Sequence, residues 1–304
     1  MSKLNKLTTE MRNEETMTID QMSTSEILTL INKEDMKIAL AVQEELPAIE
    51  KTVDSVVDSF MKGGRLFYLG AGTSGRLGIL DAVECPPTFR TPPEQVQGLI
   101  AGGKQAIEIA VEGAEDSEEL GRQDLIDRKL TKNDTVLGIA ASGRTPYVIG
   151  ALKYANEIAA RTVSLASNKG AAISEFADIA IETVTGPEVL TGSTRLKAAT
   201  AHKMVLNMIS TSSMIKIGKV YENLMVDVNI SNHKLTERGI HIIETITGSS
   251  YDRAKETLEQ ANKEVKTAIV MLEGNLSYEL ASDYLERTKG YVRKALELAG
   301  EESD

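Results

Sequence analysis

The sequence predicts an α/β protein in which a parallel β-sheet is flanked by helices and followed by a small helical domain. Between residues 65 and 183, short apolar runs typical of buried strands alternate with amphipathic stretches typical of helices. Strands that alternate with helices in this way pair in parallel, because each crossover helix returns the chain to the same end of the sheet. From about residue 250 onward the chain is charged and helical in its periodicity, and no strand-like run interrupts it.

The pattern of elements divides the 304 residues into three parts. Residues 1–34 are predicted to form a polar arm and a short helix, residues 35–248 the sheet-containing domain, and residues 249–304 the helical domain. Within the first part, residues 1–22 are predicted to be extended. Ser25 is predicted to cap the helix that follows, because serine side chains accept hydrogen bonds from the first amides of a helix.

The helices and strands of the middle part follow from the spacing of apolar residues. Asp35–Met61 is predicted to be one long amphipathic helix, since its apolar residues recur at steps of three and four. Pro86 and Pro87 are predicted to end the helix after the first strand. Five strand-like runs begin near residues 65, 95, 134, 161 and 177, and further helices are predicted from Lys104, from Pro146, over Arg195–Lys216 and over residues 233–248.

Composition narrows the classes of partner. The net charge of −11 and the aromatic content of 4% argue against nucleic acid, which requires basic surfaces or exposed aromatic rings. No apolar run approaches the roughly 18 residues that a membrane helix needs. The single cysteine, Cys85, and the polar N-terminus without a signal-peptide pattern predict a cytoplasmic protein. The expected ligand is therefore a small molecule.

A glycine-rich turn follows the first predicted strand at residues 70–76. Glycines allow close approach of the backbone to a ligand, and amides at a helix N-terminus attract anions. The spacing also fits a dinucleotide fingerprint, but that fold needs an acidic residue after the second strand, where residues 101–104 read AGGK. We therefore predict no dinucleotide. The candidate anion-binding residues are Gly72, Thr73, Ser74, Gly75 and Arg76.

A second turn of similar composition follows the third predicted strand and precedes Pro146. Carboxyl ends of parallel strands meet at one edge of a sheet, where ligands bind in open α/β folds. The two turns together predict a phosphate site at that edge. Because the whole protein is negatively charged, amides, hydroxyls and either Arg76 or Arg144 must attract the anion locally. The candidate residues of the second turn are Ser142, Gly143, Arg144 and Thr145.

Two glutamates, Glu84 and Glu115, stand beside predicted helix breaks and are candidates for acid–base chemistry. Each alone also fits an ordinary surface charge. Asp81 is interpreted as a charge on a helix surface and Cys85 as a small buried residue. The three histidines lie at no zinc-site spacing, so no metal is predicted.

Four long segments resemble the N-acetylmuramic acid 6-phosphate etherase family, a branch of the sugar isomerase (SIS) domain superfamily. They are GAGTSGRLGILDAVECPPTF at residues 70–89, AVEGAEDS at 110–117, ASGRTPYV at 141–148 and TGPEVLTGSTRLKAATAHKMVLNMIST at 185–211. The resemblance covers essentially the whole chain. His202 departs from it, since a glutamine is expected there.

The resemblance implies an SIS-type three-layer fold whose first and second turns hold a sugar phosphate. It implies that Glu84 is the catalytic acid, that Glu115 is a second essential carboxylate, and that Glu188 borders the site. It further implies a homodimer without metal or cofactor. Asp35–Met61 and Arg195–Lys216 are candidate interface elements.

The implied reaction is cleavage of the D-lactyl ether of N-acetylmuramic acid 6-phosphate by elimination and water addition, which gives N-acetylglucosamine 6-phosphate and D-lactate. A role in amino sugar catabolism follows, with peptidoglycan recycling and growth on external muramic acid both open. The alternatives are a phosphosugar aldose–ketose isomerase and a non-catalytic phosphosugar-sensing regulator. A sugar-responsive transcription factor is disfavoured, because residues 1–22 are too short for a DNA-binding domain and the chain is acidic.

Overall fold

The computed structural model describes residues 7–109, 111–228, 230 and 232–302, so residues 1–6 of the predicted arm lie outside the described residues. The chain forms two compact units. The first contains the described residues up to Val83 together with Pro93–Ser210, and the second contains Glu84–Pro92 and the described residues from Thr211 onward. The three-part division at residues 34/35 and 248/249 stays a prediction. Within the described ranges, no helix is long and apolar enough to cross a membrane.

The first unit contains a five-stranded parallel sheet, as predicted. Its strands are β1 (Leu66–Gly70), β2 (Val96–Ile100), β3 (Thr135–Ile139), β4 (Arg161–Ala166) and β5 (Ile179–Glu182), in the order β2-β1-β3-β4-β5. All five coincide with the predicted apolar runs. The chain moves outward from β1 to β2 and then returns to place β3 on the other side of β1. The order therefore reverses between β1 and β3, which is where ligands bind in folds of this topology.

Eight helices begin in the described part of the first unit. They are α1 (Thr24–Asp35), α2 (Ile38–Gln43), α3 (Leu46–Met61), α4 (Gly72–Phe89), α5 (Gln105–Glu108), α6 (Glu118–Asp127), α7 (Pro146–Glu157) and α8 (Lys197–Lys216). Helices α4 and α8 continue into the second unit. The helix α6 was not predicted.

The sheet is covered by helices on both faces. On one face, Tyr147 and Val148 of α7 are fully buried in a cluster with Phe67 and Val136. On the other face, Ser59 of α3 forms a 2.8 Å hydrogen bond with Thr135. Because side chains alternate between the two faces of a strand, Val136 and Thr135 mark opposite sides. The predicted three-layer α/β arrangement is confirmed.

The N-terminal segment differs from the prediction. The cap of α1 is Ser23 and not Ser25, and Ser23 forms a capping box with Glu26, in which each side chain bonds the other residue's amide. Residues 7–22 are not simply extended but contain three short 3-10 turns, at Thr8–Glu10, Glu14–Thr16 and Ile19–Gln21. The spacing of apolar residues did not predict these turns, because they are held by local hydrogen bonds.

Three predicted helix limits were also wrong. The stretch Asp35–Met61 is divided by breaks at Met36–Lys37 and at Glu44–Glu45. Pro47 occupies the first turn of α3, where its missing N–H costs no helical bond. The helix predicted from Lys104 is limited to α5. Helix α4 runs through both Pro86 and Pro87 to Phe89, and the Arg90 amide still binds the Pro86 carbonyl at 2.9 Å.

The second unit is predominantly helical, as predicted for the C-terminal part. Its helices α9 (His233–Thr247), α10 (Tyr251–Gln260), α11 (Val265–Gly274), α12 (Tyr278–Arg287) and α13 (Val292–Glu301) share one apolar core. An antiparallel hairpin of β6 (Val220–Tyr221) and β7 (Leu224–Met225), which was not predicted, precedes them. These strands are too short to produce a recognisable alternating pattern.

Candidate functional site

The two turns singled out from the sequence lie side by side at the carboxyl edge of the sheet. Strands β1 and β3 are paired, with Gly70 opposite Ile139, and each turn follows directly from its strand. This pair of strands is also the point at which the strand order reverses. The structure therefore brings the first turn, residues 71–75, next to the second turn, residues 141–145.

The first turn is shaped by glycines. Gly72 has a φ of +52°, in the left-handed region that favours glycine. Gly75 packs so closely on β1 that a Cβ there would lie 2.6 Å from the Gly70 carbonyl oxygen. Since α4 begins at Gly72, the amides of Thr73 and Ser74 have no acceptor within the helix. The first turn thus presents amides and hydroxyls at a helix N-terminus, which suits an anion.

The second turn has the same character. Gly143 has a φ of +72°, and its amide donates to the Ala140 carbonyl at 2.8 Å, which closes the turn. A Cβ on Gly143 would lie 2.4 Å from Ala171 Cβ, so only glycine fits. Thr145 is the cap residue of α7, and Ser142 is half-buried. The second turn thus offers hydroxyls directly before another helix N-terminus.

The two arginines differ in their surroundings. Arg76 Nε donates to the Ile107 carbonyl oxygen at 2.8 Å, which ties α4 to α5. Arg144 is exposed in the second turn. That one of the two guanidinium groups binds the phosphate stays a prediction. Arg76 already has a protein partner, the Ile107 carbonyl oxygen.

Asn168 supports the second turn, and the sequence did not reveal it. This residue follows β4 and is 2% exposed. Its Nδ2 lies 3.2 Å from the Ala141 carbonyl oxygen and 3.3 Å from that of Ser142. Thr9 of the N-terminal segment contacts the same amide group: Asn168 Nδ2 lies 3.2 Å from Thr9 Oγ1, and the Thr9 amide lies 3.4 Å from Asn168 Oδ1.

A buried histidine, His202, contacts Ser167, the residue next to Asn168. His202 is completely buried, and its Nε2 lies 3.0 Å from Ser167 Oγ, while the Ser167 amide donates to the Ala141 carbonyl. Burial lowers the pKa of His202 to about 4, because the charged imidazolium is poorly solvated there and the Ala166 backbone offsets only part of that cost. The imidazole is therefore neutral at physiological pH and acts as a hydrogen-bonding core residue.

The two candidate acid–base glutamates are both exposed. Glu115 lies in the 3-10 turn Ala114–Asp116, which contacts α7, the helix that begins directly after the second turn. Glu84 lies within α4, whose N-terminus forms the first turn, but at a position that belongs to the second unit. Each glutamate is thus connected to one turn through a helix, and their catalytic roles stay predictions.

Glu188, predicted to border the site, caps α8. Its two carboxylate oxygens accept from the Lys197 and Ala198 amides at 2.9 and 3.0 Å. Lys197 Nζ in turn donates to Glu34 at 2.5 Å, and both of these side chains are buried. Although burial alone would raise the pKa of Glu34, hydrogen bonds from Lys197 and Lys37 lower it. Contact between Glu188 and a ligand stays a prediction.

Asp81 is not the surface charge that the sequence suggested. It is buried, accepts from Tyr68 Oη at 2.9 Å and accepts from Ser210 Oγ at 3.1 Å. Burial raises the pKa of Asp81, and the two donors offset only part of this effect. Asp81 therefore lies on the buried side of α4, although the spacing of apolar residues assigned it to the solvent-exposed side. Cys85 is buried, as predicted.

Similarity to known proteins extends over nearly the whole chain. It is 59% identical over 294 residues to the N-acetylmuramic acid 6-phosphate etherase of Bacillus subtilis (strain 168), which covers 97% of each chain. It is 60% identical over 294 residues to the enzyme of the same name from Geobacillus sp. (strain WCH70), which covers 97% of this chain and 100% of the relative. The chain belongs to the N-acetylmuramic acid 6-phosphate etherase family.

Domain models agree with this etherase family assignment. The SIS domain matches residues 107–212, the N-terminal SIS domain of glucokinase regulatory protein matches residues 48–156, and the C-terminal lid domain of that protein matches residues 222–270. The SIS-type fold and the family resemblance drawn from the sequence are confirmed.

Proposed function

We propose that this etherase family member is a carbon–oxygen lyase that cleaves the D-lactyl ether of N-acetylmuramic acid 6-phosphate. The products are N-acetylglucosamine 6-phosphate and D-lactate. The observation that carries the proposal is the similarity to enzymes of that name over 97% of the chain. The paired turns at the carboxyl edge add a place for the phosphate, since both present hydroxyls and helix N-termini.

The chemistry required by this substrate is acid–base chemistry. The lactate oxygen is a poor leaving group while the sugar ring is closed. In the open-chain aldehyde, the C2 proton is acidic and the ether oxygen on C3 lies β to the carbonyl, so elimination becomes possible. A base removes the C2 proton, an acid protonates the departing lactate oxygen, and water then adds at C3. Positioned proton transfer typically contributes about 10²–10⁴ to the rate of each step.

Two carboxyl groups suffice for these steps. We assign Glu84 as the acid toward the lactate oxygen and Glu115 as the base at C2, and one of the two then activates the incoming water. The placement of Glu115 in a turn against α7 supports its nearness to the second turn. The phosphate held by the turns supplies binding energy remote from the reacting carbons, which orients the sugar.

The direct test of the activity is lactate release. Purified protein incubated with N-acetylmuramic acid 6-phosphate is expected to yield D-lactate and N-acetylglucosamine 6-phosphate in equal amounts. The isomerase alternative predicts a ketose product without lactate, and the regulator alternative predicts binding without turnover. Either result in place of lactate release contradicts the proposal.

The elimination route has its own test. When the reaction is run in D₂O, the product is expected to carry deuterium at C2, because the proton removed by the base is replaced from solvent. Direct displacement at C3 leaves the C2 hydrogen in place. If lactate is released in normal yield but the product carries protium at C2, the etherase activity stands and the elimination route is excluded.

We also propose that the protein works as a cytoplasmic homodimer in amino sugar catabolism. Exposed apolar side chains between residues 28 and 46 support an interface in this part of the first unit, namely Leu28, Met36, Leu40 and Leu46. The single buried cysteine suits a reducing compartment. Sedimentation of the wild type and of Leu40→Lys is expected to give a dimer and a weakened dimer, and a monomeric wild type would refute this assembly.

A further inference from the structure

We infer that Asn168 is a positioning residue for the phosphate-binding turn at residues 141–145 and that Thr9 holds it in place. The inference rests on the proposed function, because it concerns the site that would take the phosphate of the substrate. Neither residue is suggested by the sequence patterns, since they are 159 positions apart. Their contact makes the N-terminal segment part of the support of the site.

The orientation of the Asn168 amide is fixed by its neighbours. Two of its contacts, the Ala141 and Ser142 carbonyl oxygens, can only accept hydrogen bonds. The NH₂ group must therefore face the turn, and Oδ1 is left to accept from the Thr9 amide. Thr9 Oγ1 is a third acceptor near the same NH₂ group, so its two hydrogens are shared among three oxygens. Asn168 and Thr9 are each 2% exposed, so water competes little for these bonds.

Holding these two carbonyls fixes the amides of the turn. In a trans peptide the C=O and the next N–H lie in one plane and point in opposite directions. The Ala141 carbonyl receives both the Asn168 amide and the Ser167 amide, so the Ser142 N–H is directed away from the end of β4. The Ser142 carbonyl faces Asn168 while the Gly143 amide closes the turn on Ala140. A preset donor binds an anion without a further ordering cost.

The N-terminal segment supports the same edge of the sheet at a second point. Thr9 lies in the 3-10 turn Thr8–Glu10, and Asn13, in the next few residues, places its Nδ2 3.5 Å from the Pro187 carbonyl oxygen. Asn13 is also buried. The segment therefore packs on the loops after β4 and β5, both of which leave the carboxyl edge of the sheet.

The test is a pair of substitutions that leave the charge of the turn unchanged. Asn168→Ala removes all three donated contacts, and Thr9→Val keeps the volume of Thr9 while removing its hydroxyl. The affinity for N-acetylglucosamine 6-phosphate is measured by calorimetry on the full-length protein. We expect about tenfold weaker binding for Asn168→Ala and roughly threefold weaker binding for Thr9→Val. In turnover of N-acetylmuramic acid 6-phosphate, KM is expected to rise in the same proportion while kcat changes little.

The matched control is Asn156→Ala. Asn156 also joins separate segments through its amide, since its Nδ2 donates to the Phe176 carbonyl at 2.8 Å and its Oδ1 accepts from Thr162 at 3.2 Å. These contacts lie near the start of β4, at the opposite edge of the sheet. Asn156→Ala is expected to bind the phosphosugar as the wild type does. Thermal unfolding of every variant identifies a loss of fold, and Thr9→Val carries the test if Asn168→Ala does not fold.

The outcomes separate this inference from the proposed function. If Asn168→Ala and Thr9→Val both bind the phosphosugar with wild-type affinity, the positioning role is overturned and the etherase proposal stays intact. Equal weakening by Asn156→Ala would also overturn it, because the effect would then be general. A wild-type protein that binds no phosphosugar would overturn the proposed function itself and, with it, the basis of the positioning role.

Discussion

The amino edge of the parallel sheet and the two turns at its carboxyl edge are both polar, but they are held together by different chemistry. At the amino edge, charged side chains pair with each other: Arg65 with Asp134, Arg161 with Asp178, and Lys62 with Asp58. All of these side chains except Arg65 line a cavity of about 350 Å³. At the carboxyl edge, neutral groups such as Asn168 and Ser167 hold the turns, and the turns themselves are glycine and hydroxyl residues.

This difference separates structural charge from binding capacity. Asp134 is almost completely buried and accepts from the Arg65 backbone and side chain and from Thr131, so its charge is already neutralised within the protein. At the two turns, neutral supports leave the first amides of α4 and the hydroxyls before α7 to contact the charge of a ligand. A cavity in which most of the lining charges are already paired is therefore a weaker candidate for the phosphate site than the two turns.

The largest expected effect is on activity and arises from the helix that begins at the carboxyl edge. Glu84→Gln is expected to lower kcat by about 10²–10⁴ with little change in KM or thermal stability, since it removes a proton donor while keeping the shape of the side chain. Steady-state kinetics with N-acetylmuramic acid 6-phosphate tests this. Glu112→Gln, at another exposed glutamate, is the control. Near-normal turnover of Glu84→Gln would remove Glu84 from the mechanism.

The opposite pattern is expected at the amino edge. Asp134→Ala is expected to lower the free energy of unfolding by about 3 kcal/mol, because it leaves Arg65 and the Thr131 amide without their partner, while KM stays unchanged. Urea unfolding and kinetics measure the two quantities. Asp58→Ala, which breaks an exposed pair with Lys62, is expected to cost less than about 1 kcal/mol. An altered KM for Asp134→Ala would contradict the conclusion that the charges at the amino edge are structural and take no part in binding.

The sequence predicted this architecture well where local signals are strong. The five strands were found because buried strands in a parallel sheet are continuous apolar runs, and both turns were found because glycine and hydroxyl residues follow strand ends. Residues that act across long sequence separation were missed, as Thr9 and Asn168 illustrate. Asp81 was misjudged because a buried carboxylate is recognisable only through its partners, and Ser210 is 129 positions away.

The neutral support of the second turn, which includes His202, also predicts a pH dependence. The pKa of His202 is about 4 in the folded protein against about 6.5 in the unfolded chain, so below pH 6.5 the unfolded state binds more protons. The stability contributed by neutral His202 is complete above that pH and is lost as pH falls toward 4. Between pH 7.5 and 5, the wild type is expected to lose about 2 kcal/mol more unfolding free energy than His202→Gln.

Urea titrations of the two proteins at both pH values measure this difference. His233 and His241 are exposed and present in both proteins, so they cancel in the comparison. Identical pH dependence of the wild type and His202→Gln would mean that the imidazole gains its proton as readily in the folded state as in the unfolded state.

A smaller effect is expected on ligand affinity at the first turn. Ser74→Ala is expected to weaken binding of N-acetylglucosamine 6-phosphate about tenfold and to leave binding of unphosphorylated N-acetylglucosamine unchanged, because it removes one hydroxyl donor to the phosphate. Ser55→Ala, beside the amino-edge cavity, is the control and is expected to have no effect on either sugar. A loss of affinity for both sugars would place Ser74 away from the phosphate.

The location of the phosphate itself tests the central claim most directly. A crystal structure of the protein with N-acetylglucosamine 6-phosphate would show which edge of the sheet binds the anion. We predict phosphate density within hydrogen-bonding distance of residues 73–75 and 142–145, with no change at the amino edge. Density in the cavity beside Lys62, Lys132 and Arg161, and none at the two turns, would contradict the account.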